Sequence, residues 1–229
     1  MIYKILIASL LVCGLFTNST NKLPKVLIIG DSISGDYLPY AKERLKGIAI
    51  LTTPKVIDDN GKRTSCEGTT MGVKKIDEWI NDTKWDIIHF NFGLHDIKHI
   101  DPATGKNSKN LNYPQQANPE QYGKNLSIIV EKLKATNAKL IFATTTPYPD
   151  KLGNQMRSPG MSEVYNQVAL EIMKKNSIEV NDLYSFVLPQ MEELQRPNNV
   201  HFNEVGSKAL GNQVAKAIIN NLEKQKHDK

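Results

Sequence analysis

Apolar residues fall along this chain in short dense runs, separated by stretches where they recur at three- and four-residue spacing. Val26-Leu27-Ile28-Ile29 is a continuous, largely β-branched run that stops at Gly30-Asp31-Ser32. Its length and composition predict a strand covered on both faces, as in a parallel sheet. Ile48-Ala49-Ile50-Leu51, the run from Trp85 to Gly93, Leu140-Ile141-Phe142-Ala143 and Ile178-Glu179-Val180 predict further strands. Helical spacing appears between them. Tyr37 to Lys46 reads as a first helix, interrupted near its start by Pro39. Val73, Ile76 and Ile80 define a second, and Leu126, Ile129, Val130 and Leu133 a third. Val164, Val168, Ile172 and Met173 mark the next, and Leu210, Val214, Ile218 and Leu222 a closing one. Strands alternating with helices imply crossover connections. The predicted fold is α/β: a three-layer αβα sandwich around a mainly parallel sheet of about five strands.

Two stretches lack any period. Residues 57–68 are polar and turn-like, and Lys98 to Glu120 is a long polar segment. Loops of that length in compact domains are commonly functional. His99, within it, and His227, in the tail, read as solvent-exposed, whereas His89 reads as a core or sheet histidine. Asp182 reads as a helix N-cap.

The N-terminal residues follow a different pattern. Lys4 is the only charge in residues 1–19, Ile5 to Phe16 is almost wholly apolar, and Thr17-Asn18-Ser19 supplies small or polar residues. This is the layout of an export signal, too short for a comfortable membrane span. The expectation is a signal peptide over 1–19 and one domain over 20–229, in a secreted or periplasmic protein without stable membrane insertion. A buried N-terminal helix is the alternative. A second alternative is a lipid anchor at Cys13, although the large Val12 before it fits a lipoprotein cleavage box poorly. Without Cys13, Cys66 is the sole cysteine and no intrachain disulfide can form. There is no Cys/His cluster at metal spacing. The net charge of +5 arises from 29 basic and 24 acidic residues, but the lysines are scattered rather than interleaved with aromatics, which argues against nucleic acid as a partner.

Candidate chemistry gathers at three places. Ser32 follows the first strand, at the end where open α/β sheets place their sites. Gly93-Leu94-His95-Asp96 follows the strand expected beside it, and Asn198-Asn199-Val200-His201-Phe202 precedes the last helix. An ordinary Asx-type turn is the plain alternative for Gly30-Asp31-Ser32. A serine hydroxyl is a weak nucleophile until a base takes its proton. His201 can serve if the fold brings it back to Ser32. The oxyanion formed on attack needs preorganised donors.

Together these segments resemble the SGNH (GDSL-type) hydrolase family of esterases and lipases. Gly30-Asp31-Ser32 stands at the nucleophile block, Gly68 in Cys66-Glu67-Gly68-Thr69-Thr70 at the oxyanion glycine, Gly93-Leu94-His95-Asp96 at the third block and His201 at the last. The blocks keep the family order and span most of the chain beyond residue 19. The resemblance implies a flavodoxin-like fold, Ser32 as nucleophile, His201 as base, and an oxyanion hole from the Ser32 N–H, Gly68 and His95. It implies no metal or organic cofactor. Two positions depart from the pattern. His95 stands where an asparagine side chain usually donates, and an imidazole can replace it only in the right tautomer. Asn198 stands where an aspartate usually orients the histidine. Its oxygen can accept an imidazole N–H but supplies no charge to stabilise an imidazolium. Asp96 or Asp182 could substitute only by lying near His201.

A polar loop and few exposed apolar runs suit a small-molecule or polysaccharide ester, with acetylated carbohydrate the expected substrate. A lipid esterase or thioesterase of the same fold, or a carbohydrate-binding protein whose site no longer turns over, are the alternatives.

Overall fold

The computed structural model describes residues 22–57, 61, 63–153 and 156–227. The expected signal peptide and Cys13 lie outside the described residues. The chain begins with β1 (Lys25–Ile29) and α1 (Ser32–Arg44), then β2 (Ile50–Thr52) and a small antiparallel pair, β3 (Val56–Ile57) and β4 (Arg63–Thr64). It continues with α2 (Thr69–Ile80), β5 (Ile87–Phe90), α3 (Pro119–Ala135), β6 (Lys139–Ala143) and α4 (Met161–Lys175). The last part holds β7 (Glu179–Asn181), α5 (Leu183–Val187), α6 (Met191–Leu194) and α7 (Glu204–His227).

Five strands form one parallel sheet in the order β2-β1-β5-β6-β7. Val26 pairs with Leu51 on one side and Ile87 on the other, which sets the register of the three strands nearest the site. Val26 to Ile29 are at most 1% exposed, as a strand covered on both faces requires. Helices supply the cover: α1 packs with α7, while α2, α3 and α4 form a second set. Gly211 of α7 lets the α1–α7 pair close, since a Cβ there would stand 2.7 Å from Tyr40 Cβ and 2.8 Å from the Tyr37 carbonyl oxygen. The chain leaves β1 toward β2 on one side and later resumes at β5 on the other. That reversal opens a crevice beyond the carboxyl ends of β1 and β5.

The α/β sandwich predicted from the sequence is the observed fold, with local differences. Helix α1 begins at Ser32, ahead of the apolar spacing that starts at Tyr37. Its first turn, Ser32-Ile33-Ser34-Gly35, is mostly small and polar and is set by a cap rather than by an apolar stripe. Strand β2 starts at Ile50 because the Ile48 and Ala49 N–H groups still donate to the Leu45 carbonyl at the end of α1. The turn-like stretch 57–68 contributes to the β3–β4 pair. His99, expected in solvent, is buried: its Nδ1–H donates to the Tyr113 carbonyl (2.6 Å) and its Nε2 meets Ser158 Oγ (2.9 Å). The long polar loop thus closes on the segment before α4, with His99 as its pin. His89 is buried in the sheet, His227 is exposed, and Asp182 caps α5 through Ser185 N–H, all as expected.

Candidate active site

The turn after β1 is held by its own side chains. Asp31 caps α1, its Oδ1 accepting from the Ile33 N–H at 2.9 Å, and Ser34 Oγ donates to the Asp31 carbonyl at 2.6 Å. Ser32 is therefore the first residue of α1. Its N–H has no acceptor within the helix, and it sits at the positive end of the helix dipole.

The loop before α7 reaches the same place from the far end of the chain. Gln195 Nε2 donates to the Pro147 carbonyl (2.7 Å), Arg196 N–H donates to the His201 carbonyl (3.0 Å), and Arg196 Nε–H donates to that of Phe202 (2.9 Å). So anchored, the loop sets His201 Nε2 at 2.9 Å from Ser32 Oγ. Behind the ring stands Asn199. Its Oδ1 accepts the His201 backbone N–H (2.9 Å) and lies 3.0 Å from His201 Nδ1. With Nδ1–H donating there, Nε2 keeps its lone pair for the serine proton, the geometry of a general base.

Asn198, the residue expected to orient the histidine, does not hold its ring. It occupies a left-handed backbone conformation (φ +53°), and its carbonyl accepts from the Gly153 N–H. That reversal hands the position to Asn199, which folds back on its own loop as an Asx turn two residues long. Asp96 and Asp182 do not replace it: Asp96 pairs with Thr69, and Asp182 with Ser185 and Thr144.

On the opposite side, β5 ends at a sharp turn. Gly93 adopts φ +149°, and Tyr122 and Thr145 hydroxyls both donate to the preceding Phe92 carbonyl. His95 emerges from this turn beside Ser32. Burial, followed by the positive charges of Lys98 and Arg157, pushes the His95 pKa down to about 3, so the ring is neutral at ordinary pH. Lys98 Nζ lies 3.0 Å from His95 Nδ1. The Lys98 ammonium is itself pushed down to about 8, first by burial and then by Arg157.

Gly68, the expected oxyanion glycine, is held at the start of α2. It is the N-cap of α2, packed where a Cβ would stand 3.0 Å from both Asp96 carboxylate oxygens and from Gln116 Nε2. Asp96 Oδ1 accepts from Thr69 N–H (2.8 Å) and Thr69 Oγ1 (2.5 Å), supplying the cap that a glycine cannot. Burial raises the Asp96 carboxyl to about 6 despite those bonds. From the same segment, Thr64, Ser65 and Cys66 line a hollow together with Ser32. Glu67, at φ +39°, turns the chain between Cys66 and Gly68.

Two hollows meet at Ser32. The larger, about 680 Å³, is lined by polar groups including His95, Lys98, Asn107, Arg157 and Asn199, with Leu94, Leu152 and Met156. The other, about 500 Å³, is lined by Leu38, Pro54, Thr64, Ser65 and Cys66. Among the described residues no group of three or more His, Cys, Asp or Glu side chains could hold a metal ion, and no helix is long and apolar enough to cross a membrane. Asn199 and Lys98 escaped the sequence reading. Each lies within three residues of a residue singled out there, which is the one signal that pointed to them.

Comparison with known proteins fits this geometry. No curated protein matches the chain. Solved structures do. An acetyl xylan esterase, AlAXEase, superposes with a TM-score of 0.64 at 18% identity, covering 85% of this chain and 99% of that one. The lipase/acylhydrolase from Enterococcus faecalis superposes at 0.65 and 18% identity, covering 87% and 97%. A carbohydrate esterase family 3 protein from Talaromyces cellulolyticus gives 0.65 and 18%, covering 88% and 99%. At such identity these likenesses speak for the fold. The family of GDSL-like lipases/acylhydrolases matches residues 26–214, from β1 into α7 and through every block of the site. With its serine, histidine and parallel sheet in place, the chain belongs to the GDSL-like lipase/acylhydrolase family and is a carboxylic-ester hydrolase.

Proposed function

We propose that this chain is an exported serine esterase that removes acyl groups, acetyl foremost, from carbohydrate. The observation that carries the reading is the line Ser32 Oγ–His201 Nε2 (2.9 Å) and His201 Nδ1–Asn199 Oδ1 (3.0 Å) at the floor of a broad polar hollow. In the reaction Ser32 Oγ attacks the ester carbonyl while His201 Nε2 takes its proton. The Ser32 N–H and His95 receive the negative charge on the carbonyl oxygen. His201 then passes the proton to the departing sugar oxygen, which leaves as a hydroxyl; water, deprotonated by the same ring, attacks the acyl-enzyme, and the ring returns the proton to Ser32 Oγ as the acid leaves. Asn199 keeps the ring in the required tautomer throughout. The polar hollow suits a hydroxyl-rich leaving group, and the smaller hollow beside Leu38 and Pro54 suits a short acyl chain. The esterase names carried by two of the fold relatives agree with that substrate class. Export rests on the layout of residues 1–19.

The test is acetate release over a panel of acetylated polysaccharides, set beside nitrophenyl esters of increasing chain length. Acetyl esters are expected to turn over fastest, with Ser32→Ala folded and reduced by several orders of magnitude. A preference for long acyl chains assigns the site to lipid or thioester substrates. Failure of Ser32 to react with a fluorophosphonate makes the chain a binding protein.

A further inference from the structure

An amide side chain in an oxyanion hole always presents N–H groups, but a neutral imidazole presents one, on either of two nitrogens. At His95 something must decide which. We infer that Lys98 is a positioning residue that locks His95 as its Nε2–H tautomer, so that the imidazole serves as the oxyanion donor facing Ser32.

This inference rests on the esterase reading of the site. Below about pH 8 Lys98 is an ammonium, with three donors and no acceptor, so there the 3.0 Å contact between Lys98 Nζ and His95 Nδ1 has one polarity: Nδ1 accepts. The single ring proton then belongs on Nε2. That nitrogen has no partner among the described residues, on a side chain that lines the hollow with Ser32 and His201. The opposite lock operates across the hollow. There Asn199 Oδ1, an acceptor, draws the proton to His201 Nδ1 and leaves Nε2 bare. One histidine is set as a donor and the other as an acceptor by the chemistry of the group behind each. The cation behind His95 also pulls electron density from the ring, which strengthens Nε2–H as a donor. It keeps the ring from binding a second proton as well, in line with the low His95 pKa. Burial and the Arg157 charge disfavour the half-buried Lys98 ammonium, while the Glu67, Asp31 and Asp96 carboxylates favour it.

Two measurements test the assignment. Imidazole 15N spectra of the resting wild type, recorded below the Lys98 pKa of about 8, are expected to show His95 protonated at Nε2 and bare at Nδ1, with Lys98→Met giving a tautomer mixture. Protonation at Nδ1 in the wild type overturns the inference, and this reading needs no turnover at all. If that spectrum is as expected but no ester is hydrolysed, the esterase reading fails and the tautomer lock stands. In kinetics, Lys98→Met is expected to lower kcat about 10- to 100-fold with KM within about twofold, below the full loss of one oxyanion donor. Lys98→Arg is expected to recover part of it. In a His95→Asn background, where an amide needs no tautomer lock, the same Lys98→Met change is expected to alter kcat less than about twofold. An equal loss in both backgrounds, or a raised KM alone, assigns Lys98 to scaffold or substrate binding and overturns the inference.

Discussion

Asn199 does with a neutral oxygen what an aspartate does in a Ser-His-Asp triad. The comparison separates two functions that a carboxylate performs at once. Orientation and tautomer need only an acceptor, and Asn199 Oδ1 meets both the backbone and ring N–H of His201. Stabilising the imidazolium needs charge, and an amide has none. Asn199→Ala should therefore lower kcat about 10- to 100-fold through loss of orientation. Asn199→Asp should raise kcat by up to about 10-fold, a gain of only about 1.4 kcal/mol in the transition state. Asn198→Asp, whose side chain is not behind the ring, should change kcat less than about twofold. Steady-state kinetics on one acetyl ester checks all three. A gain confined to Asn198→Asp contradicts the assignment of Asn199.

The elements carrying these residues are held by backbone features more than by apolar bulk. The turn after β5 places His95, and it depends on Gly93 at φ +149°. An added Cβ there would collide with Thr145 Oγ1, which is already committed to the Phe92 carbonyl and cannot easily yield. Gly93→Ala should cost about 2–4 kcal/mol, combining unfavourable backbone geometry with overpacking. Urea unfolding checks the stability, and kcat should fall with it as His95 is displaced. At the neighbouring turn, Asp96 caps α2 in place of Gly68 and so ties the loop carrying His95 to α2. The pin at His99 serves the long polar loop in the same way. Up to the start of α3 at Pro119 that loop has no helix or strand, yet its bridges pair His99 with Gln115 and Ile100 with Asn107.

At the scale of the whole molecule, buried histidines and carboxyls shape the response to acid. His89 lies inside the sheet, its Nε2 accepting from Asn181 Nδ2 and its Nδ1 without a partner among the described residues, and burial pushes its pKa from 6.5 to about 4. His95 is pushed to about 3. Below pH 6.5 the unfolded chain binds protons that these folded histidines refuse, so stability falls as the pH drops toward 4. Asp96 acts the other way. Its raised pKa, about 6, means the folded state binds a proton first, and its contribution grows as the pH falls from about 6 to 4. Burial raises the Asp31 carboxyl in the same sense as Asp96, so two carboxyls oppose the two histidines, and the histidine contribution by itself is a loss of stability between pH 7 and pH 4. His89 alone accounts for roughly 3 kcal/mol of it. Urea unfolding at both pH values compares the wild type with His89→Gln, which should lose about 3 kcal/mol less than the wild type between pH 7 and pH 4. An unchanged slope in that variant removes His89 from the account.

The sequence by itself determined the α/β order, the parallel sheet and the residues at the ends of its strands. Runs such as Val26–Ile29 and Leu140–Ala143, and the helical spacing of Leu210 to Leu222, are properties of neighbouring residues and are legible without a fold. So was the candidacy of Ser32, His95 and His201, because each stands in a turn or loop adjoining a regular element. The partners of those residues were decided only by tertiary structure. Whether Asn198 or Asn199 backs His201 depends on one left-handed residue in a loop anchored across the molecule by Gln195 on Pro147. The proton on His95 is set by Lys98, one turn of the chain away, and by the hollow both line. Gly68 became the N-cap of α2 with Asp96 packed against it, and His99 left solvent because two loops closed on it. Periodicity reports which face of an element is buried. Hydrogen-bond partners a few ångströms apart are chosen by loop dihedrals and long-range packing, which leave no period in the chain.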